Sequence, residues 1–208
     1  MSAVGHEAAG GTGPPPTRPP AGSGVVGAAA VLTSFGAVVA LHLLRPDLGP
    51  AGHRLSEYAV GPWGWLMTTA FVTFAGGLLI LRRRLPAQGR LGPVRQLLGV
   101  AAVGMAVSTV FETDVTASDA LREAVHSTAS SGAFLALVVA AVWTATAARA
   151  AVAWPTSPAV PDVATALAVL GATVSPIVHD GPWTGVVQRA SYLALVTWLL
   201  LLSRAWRR

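Results

Sequence analysis

Three side chains that can exchange protons stand near the ends of long apolar segments. Glu57 lies in the first connection between such segments, Asp114 follows the third segment, and His126 lies more than one turn inside the fourth. A carboxyl or imidazole group in a low-dielectric pocket can act as a general acid or base, because burial shifts its proton affinity. We therefore predict these three as catalytic or ligand-contacting residues. Arg189, at the start of the sixth segment, is the predicted partner of an anionic group.

The same kinds of side chain also form a nitrogen and oxygen set that zinc accepts. Its members are His126, His179, Asp114 and Glu57. The sequence has no His-Glu-x-x-His motif, and Glu123 with His126 is a single pair at i, i+3 spacing, whereas metal sites in helical bundles usually need two such pairs. Zinc is therefore an alternative, with His126, His179 and Asp114 as its candidate ligands.

A structural explanation is also open for these residues. A carboxylate, Glu57 or Asp114, paired with Arg189 would act as a latch that locks the helix ends together. His126 would then hydrogen bond to a carbonyl or a serine. The remaining polar residues near the segment ends would be solvated or would only mark the membrane interface: His42, His53, His179 and Asp180.

Six long apolar segments must position these residues. Only 11% of the 208 residues are charged, about half the share in an ordinary soluble domain, and crossing the hydrocarbon of a bilayer takes roughly 20 apolar residues. The composition therefore predicts an all-α polytopic membrane protein, a bundle of six transmembrane helices. The predicted segments are residues 25–44, 65–81, 94–111, 121–147, 161–178 and 186–202.

One transmembrane domain, residues 24–208, follows a tail, residues 1–23, that is rich in Gly and Pro. The tail cannot bury enough apolar surface to fold, so we expect it to be disordered and cytoplasmic. The chain has no cysteine, which excludes disulfides, thiol catalysis and thiolate metal sites. The net charge of +5 does not indicate nucleic-acid binding, because the cations flank apolar segments and no basic stripe alternates with aromatic residues.

Arginine is distributed unevenly between the two sides of the predicted bundle. All 14 basic residues are arginines, a bias that we attribute to a GC-rich, bacterial genome. With the N-terminus in the cytoplasm, ten arginines fall on the cytoplasmic side and four on the other. Because cytoplasmic connections are enriched in Lys and Arg, we predict a multi-pass protein of the cell membrane with both termini in the cytoplasm. The carboxylates and histidines then gather near the outer leaflet.

Five short motifs surround the candidate residues: LLRPD at 43–47, LSEYAVG at 55–61, GWLM at 64–67, FETD at 111–114 and QR at 188–189. Together with His126 in the fourth segment, they resemble those of the family of small bacterial and archaeal membrane proteins named domain of unknown function 998 (DUF998). The resemblance covers about residues 25–205 and implies a multi-span bundle without implying an activity. It also points to Tyr58, which we expect to contact the substrate together with Arg189.

These observations favour an integral membrane protein with a polar pocket near the outer leaflet, which binds or processes a lipid or another amphipathic small molecule. The alternative is a non-enzymatic structural protein or partner subunit in which the same residues form an ion-paired latch. A small transporter is a third hypothesis. We rank it lower because transporters place polar residues and broken helices near the membrane midplane, whereas here the polar residues gather at one end.

Overall fold

Each apolar segment forms one α-helix, the structure that satisfies every backbone N–H and C=O group without water. The computed structural model describes residues 22–113, 119–178 and 181–205. These residues contain six α-helices and no β-strand, which confirms the predicted all-α class. The helices are α1 (Ser23–Leu44), α2 (Gly64–Arg84), α3 (Gly92–Val110), α4 (Ala120–Ala145), α5 (Ala159–Val174) and α6 (Thr184–Ala205). Residues 1–21 of the predicted tail lie outside the described residues.

Five of the described helices, α1, α2, α3, α4 and α6, are long and apolar enough to cross a membrane. The fifth in chain order, α5, has 16 residues, and at 1.5 Å per residue it is about 24 Å long, shorter than the ~30 Å of hydrocarbon. It ends at Val174 rather than at residue 178, because Pro176 has no N–H group with which to continue the helical hydrogen bonds. The fifth segment is therefore an apolar helix that is shorter than a full span.

Helices that follow one another along the chain pack side by side, and α6 returns to contact α1. Small residues allow the backbones to approach closely. A Cβ atom on Gly104 of α3 would lie only 2.6 Å from the Ala129 carbonyl oxygen of α4. Gly77 of α2 faces the Gly27 carbonyl of α1 in a similar way. Close backbone approach of this kind lets helices associate in lipid, where no hydrophobic force acts between them.

The two ends of the bundle differ in charge. The C-terminal ends of α1, α3 and α5 and the N-terminal ends of the other three helices form what we call the histidine end, which carries His42 and His53. At the opposite end, the arginine end, the one described carboxylate is Asp162, which pairs with Arg149 at 2.9 Å. The described arginines at that end are Arg82, Arg83, Arg84, Arg90, Arg95, Arg149 and Arg204.

The connection between α1 and α2, residues 45–63, folds back onto the histidine end. Its 3₁₀ turn, Leu55–Ala59, buries a leucine, a tyrosine and an alanine side chain in a cluster with apolar residues of α1 and α2. Arg45, directly after α1, donates hydrogen bonds to Asp47 and to the Val60 carbonyl. The connection is therefore a packed element of the fold and can position side chains.

Candidate functional site

A cavity of about 480 Å³ lies inside the bundle and is lined by residues from all six helices and the 3₁₀ turn. Its volume falls within the ~300–1,000 Å³ that is usual for small-molecule sites. Most of its wall is apolar and includes Met67, Phe71, Phe74, Met105 and Phe134. Its polar lining includes Ser34, Ser130, Ser131, His126, Gln188, Ser191 and Tyr192. The cavity thus differs from the predicted polar pocket, because apolar side chains form most of its wall.

His126 lines this cavity from the first half of α4, and it is only 2% exposed. Asp119 caps the start of α4 by accepting a hydrogen bond from the Arg122 amide at 2.9 Å. The Nδ1 atom of His126 lies 2.7 Å from the Phe111 carbonyl oxygen and 3.3 Å from that of Ser108. Carbonyls only accept, so Nδ1 carries a proton, and in the neutral form of the ring the lone pair is then on Nε2. Nε2 is buried and makes no hydrogen bond with any described residue.

Glu57 lies in the 3₁₀ turn and is held by its own segment. Its carboxylate accepts a hydrogen bond from the His53 ring at 2.7 Å and from the Arg54 amide at 3.0 Å. Partial burial raises the pKa of this carboxyl, but the hydrogen bonds and the electrostatic attraction of both neighbours outweigh burial, so the pKa lies below its ordinary value. Arg54 also approaches Glu123 of α4, with 3.8 Å between Nη1 and Oε1. Among described residues, Glu57 and His126 share no hydrogen-bond partner.

Arg189 of α6 has neutral partners. Its guanidinium donates hydrogen bonds to His42 Nε2 at 2.6 Å, to the His53 carbonyl at 2.6 Å and to the Tyr58 hydroxyl at 3.2 Å. No described carboxylate pairs with it, so the ion pair between Glu57 and Arg189 is wrong, whereas the alternative partner Asp114 lies outside the described residues and stays a prediction. Within the described part of the chain, His53 links the two residues, because its ring contacts Glu57 and its carbonyl contacts Arg189. The structure does bring Tyr58 and Arg189, the two predicted substrate-binding residues, into contact.

Two histidines that were expected only to mark the membrane interface have defined partners. His42 lies 2.7 Å from the Val38 carbonyl through Nδ1 and accepts a hydrogen bond from Arg189 through Nε2. His53 holds Glu57. His42 is near the end of the first apolar segment, and the high cost of a polar ring facing lipid is the signal that identifies it as an inward-facing residue.

One polar contact inside the bundle was not predicted from the sequence. The Tyr192 hydroxyl of α6 hydrogen bonds to Ser34 of α1 at 3.0 Å, and both residues line the cavity. Gln188, one residue before Arg189, accepts a hydrogen bond from the Leu55 amide at 2.6 Å. Tyrosine, serine and glutamine within apolar segments were the available signal, but their spacing along the chain does not show which helices they join.

The described part of the chain contains no group of three His, Asp or Glu side chains that could hold a metal ion. Two of the three candidate zinc ligands, Asp114 and His179, lie outside the described residues, as does Asp180. The roles predicted for Asp114 and His179, and the zinc site itself, stay predictions. His126 is the candidate ligand that the structure describes, and its Nδ1 atom is engaged by backbone carbonyls.

Residues 28–205 match the model of a family described as "Protein of unknown function (DUF998)". The chain belongs to the DUF998 family. The match confirms the resemblance carried by the short motifs, and it extends from α1 to the end of α6. No curated protein and no solved structure matched the chain. Family membership and the apolar helices together support an integral membrane protein, whereas the family description names no reaction and no ligand.

Proposed function

We propose that this DUF998 protein binds a lipid or another amphipathic small molecule inside its helical bundle. The support is the cavity, whose wall is mainly apolar and carries a few polar side chains. Sites for small molecules usually combine an apolar wall, which binds the body of the ligand, with a few polar groups that orient it. A ligand with an apolar body and one polar group fits this combination.

The observation that carries the proposal is the Nε2 atom of His126, which is buried and makes no hydrogen bond with a described residue. A buried acceptor without a partner costs about 1–3 kcal/mol, and here it belongs to a residue that lines a cavity. A hydroxyl group on a bound molecule that reached this atom would donate to its lone pair and offset the cost. We therefore expect the ligand to carry a hydroxyl or another hydrogen-bond donor.

Any proton transfer to or from a bound molecule would fall to His126. Of the predicted acid–base residues that the structure describes, it is the one that lines the cavity, and a general base must lie within hydrogen-bond reach of the proton that it takes. Glu57 is already engaged by His53 and Arg54. The role of Glu57 is then to hold the connection in place, and that of Asp114 stays a prediction.

The proposal is tested with a photoreactive probe, a long-chain primary alcohol that carries a diazirine in its chain. The protein is reconstituted into phospholipid nanodiscs, irradiated with the probe, and analysed by peptide mass spectrometry. We expect labels on cavity residues such as Phe71 and Phe134. Unlabelled alcohol should suppress this labelling about 5- to 150-fold more effectively than an alkane of the same length, which corresponds to ~1–3 kcal/mol for one hydrogen bond.

The matched variants are His126→Phe and Met105→Leu. The first keeps an aromatic ring and removes the lone pair, so we expect it to abolish the preference for the alcohol over the alkane. The second keeps an apolar side chain of similar volume in the cavity wall and should retain the preference. Labels that avoid the cavity in the wild type, or a preference that survives His126→Phe, would contradict the proposal.

A structural role is the second candidate, and the contacts of Arg189 favour it. Its hydrogen bonds join α6 to α1 and to the connection between α1 and α2, and the adjacent Gln188 binds the Leu55 amide. In this function the histidine end is a latch in which the charged Arg189 guanidinium donates hydrogen bonds to neutral acceptors. Arg189→Met would then lower the thermal stability in detergent, and the wild type would show no saturable labelling by the alcohol.

The arginine end is the part of the molecule that we propose to face the cytoplasm. Seven of the eleven described arginines lie there, and cytoplasmic connections are enriched in basic residues. This orientation would place the protein in the cell membrane with both termini inside and would put His126 nearer to the outer leaflet. The experiment that tests it is a pair of reporter fusions, one after α2 and one after α3.

A further inference from the structure

We infer that the cavity opens sideways, between α4 and α5, into the hydrocarbon layer of the membrane, and that its ligand is a single-chain lipid alcohol that enters by this route. Both the route and the ligand class rest on the proposed function. The opening, which we call the mouth, is bordered by Ser131 and Leu135 of α4 and by Pro176, directly after α5.

The exposure of the lining residues locates the mouth. Among the described residues that line the cavity, three are exposed, and they are Ser131, Leu135 and Pro176. Leu135 is 56% exposed and still faces the cavity. The lining residues from α1, α2, α3 and α6 are buried or half-buried. The cavity therefore reaches the surface of the bundle on the side where α4 meets α5.

The mouth lies at the depth of the hydrocarbon. Counted from Ala120 at 1.5 Å per residue, Ser131 and Leu135 stand about 17 and 23 Å along α4, on either side of the midpoint of a helix about 39 Å long. The short α5 has 16 residues and starts at the arginine end, so its last turn reaches only the level of this midpoint. At that depth a bilayer contains acyl chains and no bulk water, so a molecule at the mouth comes from the lipid phase.

The chemistry of the cavity selects the ligand class. A polar face of α4 leads inward from the mouth, because Ser130 follows His126 by four residues and therefore lies on the same side of the helix. A hydroxyl at one end of the ligand would reach His126, and the hydrocarbon chain would trail along the apolar wall to Leu135. A volume of about 480 Å³ lies in the lower half of the usual range, which favours one chain over the two chains of a phospholipid.

The absence of cysteine from the chain allows the mouth to be blocked at one chosen residue. Leu135→Cys, modified with a bulky maleimide, places an adduct at the mouth. Val139→Cys with the same adduct is the control, because Val139 lies one turn further along the same exposed face of α4 but does not line the cavity. The probe is the diazirine-bearing alcohol, delivered from donor phospholipid vesicles to protein in acceptor vesicles, and irradiation at increasing times gives the rate of cavity labelling.

We expect the adduct at residue 135 to cause near-complete loss of labelling at early times and the adduct at residue 139 to leave the rate unchanged. Equal rates for the two adducts would overturn the lateral route and leave the proposed binding function intact. Absence of cavity labelling in the unmodified protein would overturn both the lateral route and the proposed binding function. Phospholipid is in large excess in the vesicles, so labelling that unlabelled alcohol fails to suppress would overturn the single-chain alcohol as the ligand class.

Discussion

Replacing Arg189 with methionine would show how far the histidine end depends on this one side chain. The guanidinium donates hydrogen bonds to His42, to the His53 carbonyl and to Tyr58. Methionine keeps an unbranched chain of similar length but has no donor, so all three acceptors lose their partner. We expect the connection between α1 and α2 to separate from the bundle at a lower temperature than in the wild type.

The magnitude follows from the partners of the guanidinium. A hydrogen bond from a charged donor contributes about 1.5–3 kcal/mol, but bonds within one network do not add, and the side chain is half-buried. We therefore expect Arg189→Met to lower the free energy of unfolding by about 2–4 kcal/mol. For a protein of this size, 1 kcal/mol changes Tm by about 2–4 °C, so the expected decrease is about 4–16 °C.

The assay is the Tm of purified protein in detergent, measured by gel filtration after heating. Arg122→Met is the matched control, because it removes the same charge at the same end. Arg122 pairs with Glu112 at 3.6 Å and is 43% exposed, and such surface pairs contribute about 0–1 kcal/mol. Arg189→Lys keeps the charge but lacks the planar guanidinium group with its several donors. Its Tm should therefore lie between those of the wild type and Arg189→Met. A decrease for Arg189→Met no larger than for Arg122→Met would refute this account.

Three further predictions concern other parts of the molecule. Folding lowers the pKa of Glu57 below its ordinary value of 4.5, so its stabilisation is present above that pH and is lost as the pH falls through the lowered pKa. In melting curves, Glu57→Gln should therefore lower Tm at about pH 6, and its difference from the wild type should shrink as the pH falls below 4.5. Gly171→Ala would place a Cβ atom against Ser191 Oγ and should cost about 1–3 kcal/mol, whereas Gly132→Ala, with nothing within 4 Å, should not lower Tm. A reporter that is active only in the cytoplasm should be active when fused after α2 and inactive when fused after α3, and the reverse pattern would contradict the proposed orientation.

The helices could be predicted from the sequence because the polar backbone of an apolar segment has few alternatives to a helix in lipid. The first segment, predicted at 25–44, is α1 at Ser23–Leu44. The fifth segment differs, since apolarity continues to residue 178 while the helix ends at Val174. Apolar composition indicates which residues are compatible with lipid, whereas Pro176 indicates where helical hydrogen bonding must stop. The proline is the better signal for the end of a helix.

The contacts of the candidate site could not be predicted in the same way. The cost of a polar ring facing lipid applies to one residue at a time, and it accounts for the burial of His126. To predict a hydrogen-bond partner, one must know which second residue lies nearby in the fold. His42 and Arg189 bind each other although they are 147 residues apart in the sequence. Charge suggested Glu57 as a partner of Arg189, but among the described residues helix packing brought neutral acceptors to it. The spacing of residues in the sequence defines which of them share a helix face. The packing of all six helices decides which faces of neighbouring helices meet.

Because α5 is short, the fit of this protein to its membrane depends on the thickness of the bilayer. A helix shorter than the surrounding hydrocarbon is accommodated by local thinning of the bilayer, at a cost of fractions of a kcal/mol per Å of mismatch. With α5 of 16 residues, one leaflet would dip toward Pro176 and draw its phosphate groups closer to that residue. Transfer from a thick, sterol-rich bilayer to a thin one would relieve this distortion, so lipid composition alone would tune how readily molecules dissolved in the membrane reach the interior of the bundle.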